Sequence, residues 1–88
     1  MKETMLEIEQ EARKAEDKYG EPTSSHECLG VLYEEFQELT EAIRGNYIED
    51  VRREAIQVAA VALRLAEHCR IDIADRMNQT SFSARSGF

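Results

Sequence analysis

Apolar residues recur every three or four positions along the first 19 residues of the chain. The members of this narrow stripe are Met5, Ile8, Ala12, Ala15 and Tyr19. A period near 3.6 residues is that of an amphipathic α-helix whose other face is in water. Gly20 and Pro22 follow the stripe and predict where the helix ends. A first helix is therefore predicted over about residues 2–19.

A second stripe of the same period begins after Pro22. Its members are Leu29, Leu32, Phe36, Leu39 and Ile43. Ser24 followed by Glu27 has the form of a capping box, in which two side chains satisfy free amides at the start of a helix. The pattern continues to about Arg44 and closes at Gly45-Asn46, which predicts a second helix between these points.

The third predicted helix runs from Tyr47 or Ile48 to Cys69, and apolar residues cover nearly all of its sides. One stripe consists of Val51, Ala55, Val58, Ala62, Leu65 and Cys69, and the opposite side carries Ile56, Ala59, Ala60 and Leu63. A helix that is apolar all round is buried on several sides. Three short helices from one chain cannot enclose it, so we expect a second copy to cover it in a homo-oligomer, a dimer or a tetramer.

The last part of the chain predicts a short fourth helix and a tail. Asp72 is a candidate cap for a helix over 73–77, and residues 78–88 are rich in Ser, Thr, Gly and Asn, which is typical of irregular structure. No segment shows the alternation of a β-strand. The predicted fold class is all-α, with three main helices plus a short C-terminal helix. It forms one domain over 1–88, with its core at about 24–70 and its bundle completed by oligomerisation.

Charge and composition exclude several classes of function. Among the 88 residues, 18 are acidic and 11 are basic, for a formal net charge of −7. Binding to nucleic acid or to an anionic membrane needs a basic face, so neither is expected. The longest apolar-rich stretch, 55–66, is too short to span a bilayer, and the first residues lack the apolar core of a signal peptide. Cys28 and Cys69 belong to no CxxC pair, which favours buried free thiols and a cytoplasmic protein.

Two glutamates of the second helix fall within its apolar pattern. Successive residues are about 100° apart on a helix. On this basis Glu35 lies inside a side stripe that also contains Cys28, Val31 and Ala42, and Glu38 lies at the edge of that stripe. Burying a carboxylate is costly unless a positive group pairs with it. A role for these two side chains is therefore expected.

The third helix carries a matching pair. Glu54 and Gln57 are three residues apart on its core side, as Glu35 and Glu38 are on the second helix. Helices joined by a short turn pack antiparallel, so the two pairs are expected to face each other. Three carboxylates and one amide around one space suit an oxygen-liganded cation, most naturally Mg²⁺ or Mn²⁺. The alternative is an ordinary acidic surface that is paired with Arg52, Arg53 and Arg64.

These residues resemble the signature of a known family. The stretch Glu34-Glu35-Phe36-Gln37-Glu38 followed by Glu54-Ala55-Ile56-Gln57 is similar to EExxE and ExxD in the MazG-like, all-α nucleoside triphosphate pyrophosphohydrolases, over about residues 25–69. The phrase that begins at Glu54, together with His26-Glu27, also resembles a branch of this family that is often met in phages and prophages. In the family, acidic residues hold Mg²⁺, and a nucleoside triphosphate is cleaved to the monophosphate and pyrophosphate.

The resemblance implies roles for individual residues. Glu35, Glu38 and Glu54 would be metal ligands, and Glu34 a catalytic carboxylate that orients water or a ligand. Gln57 departs from the family's Asp, because it offers a carbonyl oxygen without a charge, and we expect weaker Mg²⁺ binding. This departure leaves a second function open: a non-catalytic MazG-like oligomer that binds a nucleotide or a protein.

Three positively charged or titratable residues add candidates for phosphate binding. Arg64 and His68 continue the line of Gln57 on the third helix and are candidate substrate-binding residues. His68 has an equally good interpretation as a helix-end residue that interacts with the helix dipole. His26 is a candidate general base or a candidate hydrogen-bond donor to phosphate, although a capping or surface role is commoner for a His at a helix start.

Overall fold

The chain folds into three helices and no strand within residues 1–85. The computed structural model describes the backbone of residues 1–85 and the side chains of residues 1–79. The helices are α1 (Lys2–Tyr19), α2 (Ser25–Gly45) and α3 (Ile48–Arg85). The prediction of an all-α fold is confirmed.

The predicted ends of the first two helices are confirmed, and local chemistry explains them. Ser24 is the N-cap of α2, and its hydroxyl accepts a hydrogen bond from the Glu27 amide at 3.1 Å. The Glu27 carboxylate accepts from the Thr23 amide at 3.2 Å, so the return bond of the capping box reaches the residue before the N-cap. Gly20 and Asn46 end α1 and α2 with positive φ angles of 76° and 59°, a conformation that Gly and Asn adopt most easily.

Loss of the α2 cap should destabilise the protein. In Ser24→Ala the Glu27 amide loses its acceptor, which costs about 1 kcal/mol. For a domain of this size that loss lowers Tm by roughly 4–8 °C, measurable by circular dichroism. Ser25→Ala is the matched control: Ser25 is exposed within the first turn, and its change should leave Tm nearly unaltered. An unchanged Tm in Ser24→Ala would contradict this role of the cap.

The predicted short fourth helix is wrong, because α3 continues without a break to Arg85. No Gly or Pro lies between Gly45 and Gly87 to interrupt it. Asp72 does not cap a new helix but pairs within α3 with Arg76, 2.9 Å away. The predicted irregular tail is therefore also wrong for residues 78–85, while 86–88 lie outside the described residues.

Helix α3 is the centre of the fold, and the other two helices pack on it. Within the described residues, α1 and α2 each contact α3 and do not contact each other. Helix α1 runs parallel to α3, since Arg52 pairs with Glu7 and Arg64 pairs with Glu16. The core is small: its buried apolar residues are Ala12, Cys28, Ile56, Ala60 and Val61.

None of the helices within the described residues combines the length and the apolar character that crossing a membrane requires.

Candidate metal centre

The orientation of α2 brings its acidic residues to α3. The side of α2 that packs on α3 is the side stripe, with Cys28 only 5 % exposed, whereas Phe36 of the main stripe is 59 % exposed. Glu35 lies inside the side stripe and is half-buried. The apolar neighbours of Glu35 are therefore what places its carboxylate against α3.

Three glutamates meet where α2 packs on α3. One carboxylate oxygen from each of Glu35, Glu38 and Glu54 lies within 4.8 Å of the other two. Glu35 and Glu54 are half-buried, and Glu38 is exposed at the mouth of the cluster. The prediction that these three residues face each other across the helix pair is thus confirmed in the geometry of the chain.

The cluster is electrostatically unfavourable without a cation. Burial and the nearby charges of Glu38 and Glu54 raise the pKa of Glu35 above its usual value of 4.5. Burial and a close contact with Glu38 raise the pKa of Glu54 in the same direction, although Arg53 opposes this shift. Both raised pKa values mean that the cluster favours the protonated carboxyl groups over the charged carboxylates. A bound divalent cation reverses this preference, because it favours the charged form.

One atom of the cluster lacks a partner. Glu35 Oε2 is buried and accepts no hydrogen bond from any of the described residues. An unpaired buried carboxylate oxygen is costly, and such atoms in native proteins commonly face a ligand, an ion or water. The three carboxylates, one of which has an unpaired oxygen, offer the oxygen ligands that a hard cation such as Mg²⁺ prefers, and the exposed side of the cluster leaves positions for water or phosphate oxygens.

Gln57 does not point where the sequence predicts. Its side-chain nitrogen donates a hydrogen bond to Glu11 of α1 at 3.1 Å. Three residues along a helix correspond to about 300°, so Gln57 lies about 60° from Glu54 around α3. This difference places Gln57 on the side of α3 that faces α1, whereas Glu54 is on the side that faces α2. The amide is thereby engaged with a different helix from the one that bears Glu35 and Glu38.

Glu11 is the residue of this region that the sequence pattern did not single out. Its hydrogen bond with Gln57 is the largest cause of a lowered Glu11 pKa, with Lys14 contributing in the same direction. Glu11 is part of an ordinary charged face in the sequence, and only the parallel packing of α1 on α3 brings it to Gln57. No local signal could have identified it.

The remaining candidates of α2 are exposed. Glu34 lies next to the cluster, and its negative charge contributes to the raised pKa of Glu35. His26 is exposed in the first turn of α2, where Ser24 already serves as the N-cap and accepts a hydrogen bond from the Glu27 amide. The capping role for His26 is therefore taken by another residue.

Arg64 and His68 lie far from the three glutamates. Arg64 follows Glu54 by ten residues, about 15 Å along α3, and His68 lies another turn away. The Arg64 side chain is 13 % exposed and donates to Glu16 Oε1 and to the Gly20 carbonyl, both at 2.9 Å. The structure thus uses Arg64 to hold the end of α1 on α3. His68 is half-buried in mid-helix, so its helix-end interpretation is wrong.

Replacement of Arg64 should therefore affect stability and not metal binding. Arg64→Met leaves the Glu16 carboxylate and the Gly20 carbonyl without their donor, which costs about 1–3 kcal/mol. Urea titration measures the loss, and isothermal titration with Mg²⁺ should give an unchanged affinity. Arg70→Met is the matched control, because Arg70 is 68 % exposed and pairs only with Glu67 of the next turn. A large loss of Mg²⁺ affinity in Arg64→Met would contradict this separation of Arg64 from the carboxylate cluster.

The two cysteines are free thiols, as predicted. Cys28 is buried and Cys69 is half-buried. Burial raises the pKa of the Cys28 thiol, which lowers its reactivity.

Comparison with known proteins gives no match: no family model, no curated protein and no solved structure is similar to the chain.

Proposed function

We propose that the protein is a Mg²⁺-dependent nucleoside triphosphate pyrophosphohydrolase, which cleaves a ribo- or deoxynucleoside triphosphate to the monophosphate and pyrophosphate. The observation that carries the proposal is the buried, unpartnered Oε2 of Glu35 within the cluster of three carboxylates. The likeness of residues 34–38 and 54–57 to the MazG-like signature supports the same reaction.

The chain's own residues have separate tasks in this proposal. Glu35, Glu38 and Glu54 hold the cation, and Mn²⁺ would serve in the same oxygen site. When bound, the cation supplies charge for the triphosphate oxygens and lowers the pKa of water. Exposed Glu38 and Glu34 stand at the open side of the cluster, where an incoming phosphate and an attacking water arrive. Glu34 then orients this water and accepts its proton.

The test is pyrophosphate release from a panel of ribo- and deoxynucleoside triphosphates, with Mg²⁺, with Mn²⁺ and with a chelator. We expect release that depends on the metal and that favours some bases or sugars. Release that persists in chelator would contradict the metal site. Absence of release from every nucleotide under every condition would overturn the hydrolase.

A second candidate follows from Gln57, whose amide is engaged by Glu11 and supplies no charge to the cluster. In this case the protein is a non-catalytic MazG-like oligomer that binds a nucleotide or a protein partner. It predicts nucleotide or partner binding without turnover.

The variant Gln57→Asp separates the two candidates. For an inactive descendant of the family, the variant gains metal-dependent release that the natural chain lacks, because the new carboxylate is repelled by Glu11 and turns towards the α2 side of α3. For an active enzyme, the natural chain already turns over, and the variant chiefly loses the hydrogen bond to Glu11, with a fall in Tm. Gln10→Asp is the matched control, since Gln10 is an exposed residue of α1. Activity is measured as pyrophosphate release at saturating Mg²⁺.

Two further parts of the proposal concern the protein's state in the cell. We place it in the cytoplasm, because nucleoside triphosphates are found there and its two thiols are free. We also propose a homo-oligomer, because the single chain buries only a small core and leaves many large apolar side chains exposed.

A further inference from the structure

Arg53 directly precedes Glu54 of the carboxylate cluster, and an ion pair holds its side chain close to the cluster. The Nη2 atom of Arg53 donates to Asp50 Oδ1 at 2.9 Å. Asp50 lies four residues before Glu54 on α3, and side chains at this spacing are neighbours on one helix face. The guanidinium of Arg53 therefore lies within about one helical turn of Glu54.

Arg53 also lies on the open flank of the contact between α2 and α3. Glu38, at the mouth of the cluster, follows Glu35 by three residues, which places it about 60° backwards round α2. Asp50 and Arg53 lie about 40° and 100° backwards from Glu54 round α3. In an antiparallel pair of helices, the same sense of rotation leads to the same flank. Arg53 and the exposed Glu38 therefore border the same opening.

The guanidinium of Arg53 is accessible and only weakly engaged. The side chain of Arg53 is 61 % exposed, and that of its partner Asp50 is 45 % exposed. Exposed ion pairs of this kind contribute little to stability, so Arg53 can leave Asp50 for a better acceptor at small cost. A phosphate group is such an acceptor, because its charged oxygens match the planar fork of an arginine.

The cluster needs a further positive group if it is to hold a triphosphate. Three carboxylates with one divalent cation keep a negative charge, and a triphosphate is itself strongly negative. Arg64 and His68 lie too far along α3 to offset this charge. Burial is the main cause of the raised pKa of Glu54, and the charge of Arg53 acts on the same carboxyl in the lowering direction. Arg53 thus supplies positive charge at the cluster.

We propose that Arg53 is a substrate-binding residue, which exchanges Asp50 for a phosphate oxygen when a nucleoside triphosphate reaches the carboxylate cluster. This inference rests on the triphosphate binding of the proposed function, and not on its hydrolysis. Asp50 has the complementary task, because it keeps the guanidinium beside the cluster until the triphosphate arrives.

Titration calorimetry with the Mg²⁺ complex of inorganic tripolyphosphate tests the inference without any need for turnover. Arg53→Gln should raise the dissociation constant of this complex by about 10-fold or more, as the loss of hydrogen bonds to a charged group does. For Mg²⁺ alone, the same variant should bind about two to four times more tightly, because a positive charge near the carboxylates is removed. A residue that only supports the fold would not shift the two affinities in opposite directions.

Arg52→Gln is the matched control. Arg52 carries the same charge and is 52 % exposed, but it pairs with Glu7 of α1 and lies about 160° from Glu54 round α3. Its loss should change either dissociation constant by less than about twofold. Arg53→Lys keeps the charge without the fork, so its affinity for the tripolyphosphate complex should lie between those of the natural chain and Arg53→Gln.

Other results overturn the inference. Equal weakening of tripolyphosphate binding in Arg52→Gln and Arg53→Gln would show that only the overall charge of the chain matters. A natural chain that does not bind the complex would remove the triphosphate from the cluster, and the role of Arg53 with it. Pyrophosphate release from nucleotides is measured on the same samples. Tripolyphosphate binding that depends on Arg53 without any release would overturn the hydrolase and support the role of Arg53.

Discussion

Glu38→Gln should abolish metal-dependent pyrophosphate release while the fold survives. Glu38 is the member of the cluster that contacts both other carboxylates, and its own side chain is exposed at the mouth. Loss of a residue that only orients a ligand costs about 10–100-fold in metal affinity or activity, so loss of a direct ligand should cost about 100-fold or more. Turnover at saturating nucleotide and Mg²⁺ measures the effect.

The fold is expected to survive for an electrostatic reason. Glu38→Gln removes one of three adjacent negative charges, and the new amide can donate to Glu35 or Glu54. Tm in chelator should therefore stay the same or rise. Glu41→Gln is the matched control, one turn further along α2 at an exposed position outside the cluster, and should retain activity. Equal activity of the Glu38 variant and the natural chain would remove Glu38 from the metal centre.

Local signals were sufficient to predict where two of the three helices begin and end. Ser24, Gly20 and Asn46 each act through their own neighbours in the chain, so their effect is visible in the sequence. The end of α3 was predicted wrongly because Asp72 is equally able to cap a helix and to pair with Arg76 inside one. Capping propensity alone does not decide between these states.

The candidate site likewise contains residues whose placement the local sequence predicts and residues whose placement it does not predict. The facing of Glu35, Glu38 and Glu54 follows from helix periodicity and a short turn, and both are properties of the local sequence. The placements of Gln57 and Arg64 depend on α1, which packs on α3 from some 45 residues away in sequence. Periodicity gives the side of α3 on which a residue lies, but it does not say which helix covers that side.

The carboxylate cluster should also make stability depend on pH and on Mg²⁺. The pKa values of Glu35 and Glu54 are raised above the usual 4.5 in the folded chain. The folded state then holds these protons more tightly than the unfolded state. In chelator, the stability due to the two groups is fully present below about pH 4.5 and is lost as pH rises through their folded pKa values.

The pKa values of other carboxylates are shifted in the opposite direction, so the pH dependence of the natural chain alone does not isolate the cluster and a variant is needed. The pKa values of Glu11 and Glu27 are lowered, and their contribution is lost as pH falls. Glu35→Gln isolates the cluster: in chelator at pH 7 it should be more stable than the natural chain, and the difference should vanish below pH 4.5. A difference that does not change with pH would show that Glu35 has an ordinary pKa.

Addition of Mg²⁺ should reverse the order of the two proteins. At 100 times its dissociation constant, a ligand that binds only the folded state stabilises it by about 2.7 kcal/mol, or roughly 10–20 °C in Tm for a domain of this size. The natural chain should gain this increase at pH 7, and Glu35→Gln should gain little. Protein concentration is kept constant, because association also raises Tm. Equal gains in both proteins would place Mg²⁺ elsewhere on the acidic surface, since the two chains differ only at the carboxylate with the buried, unpartnered oxygen.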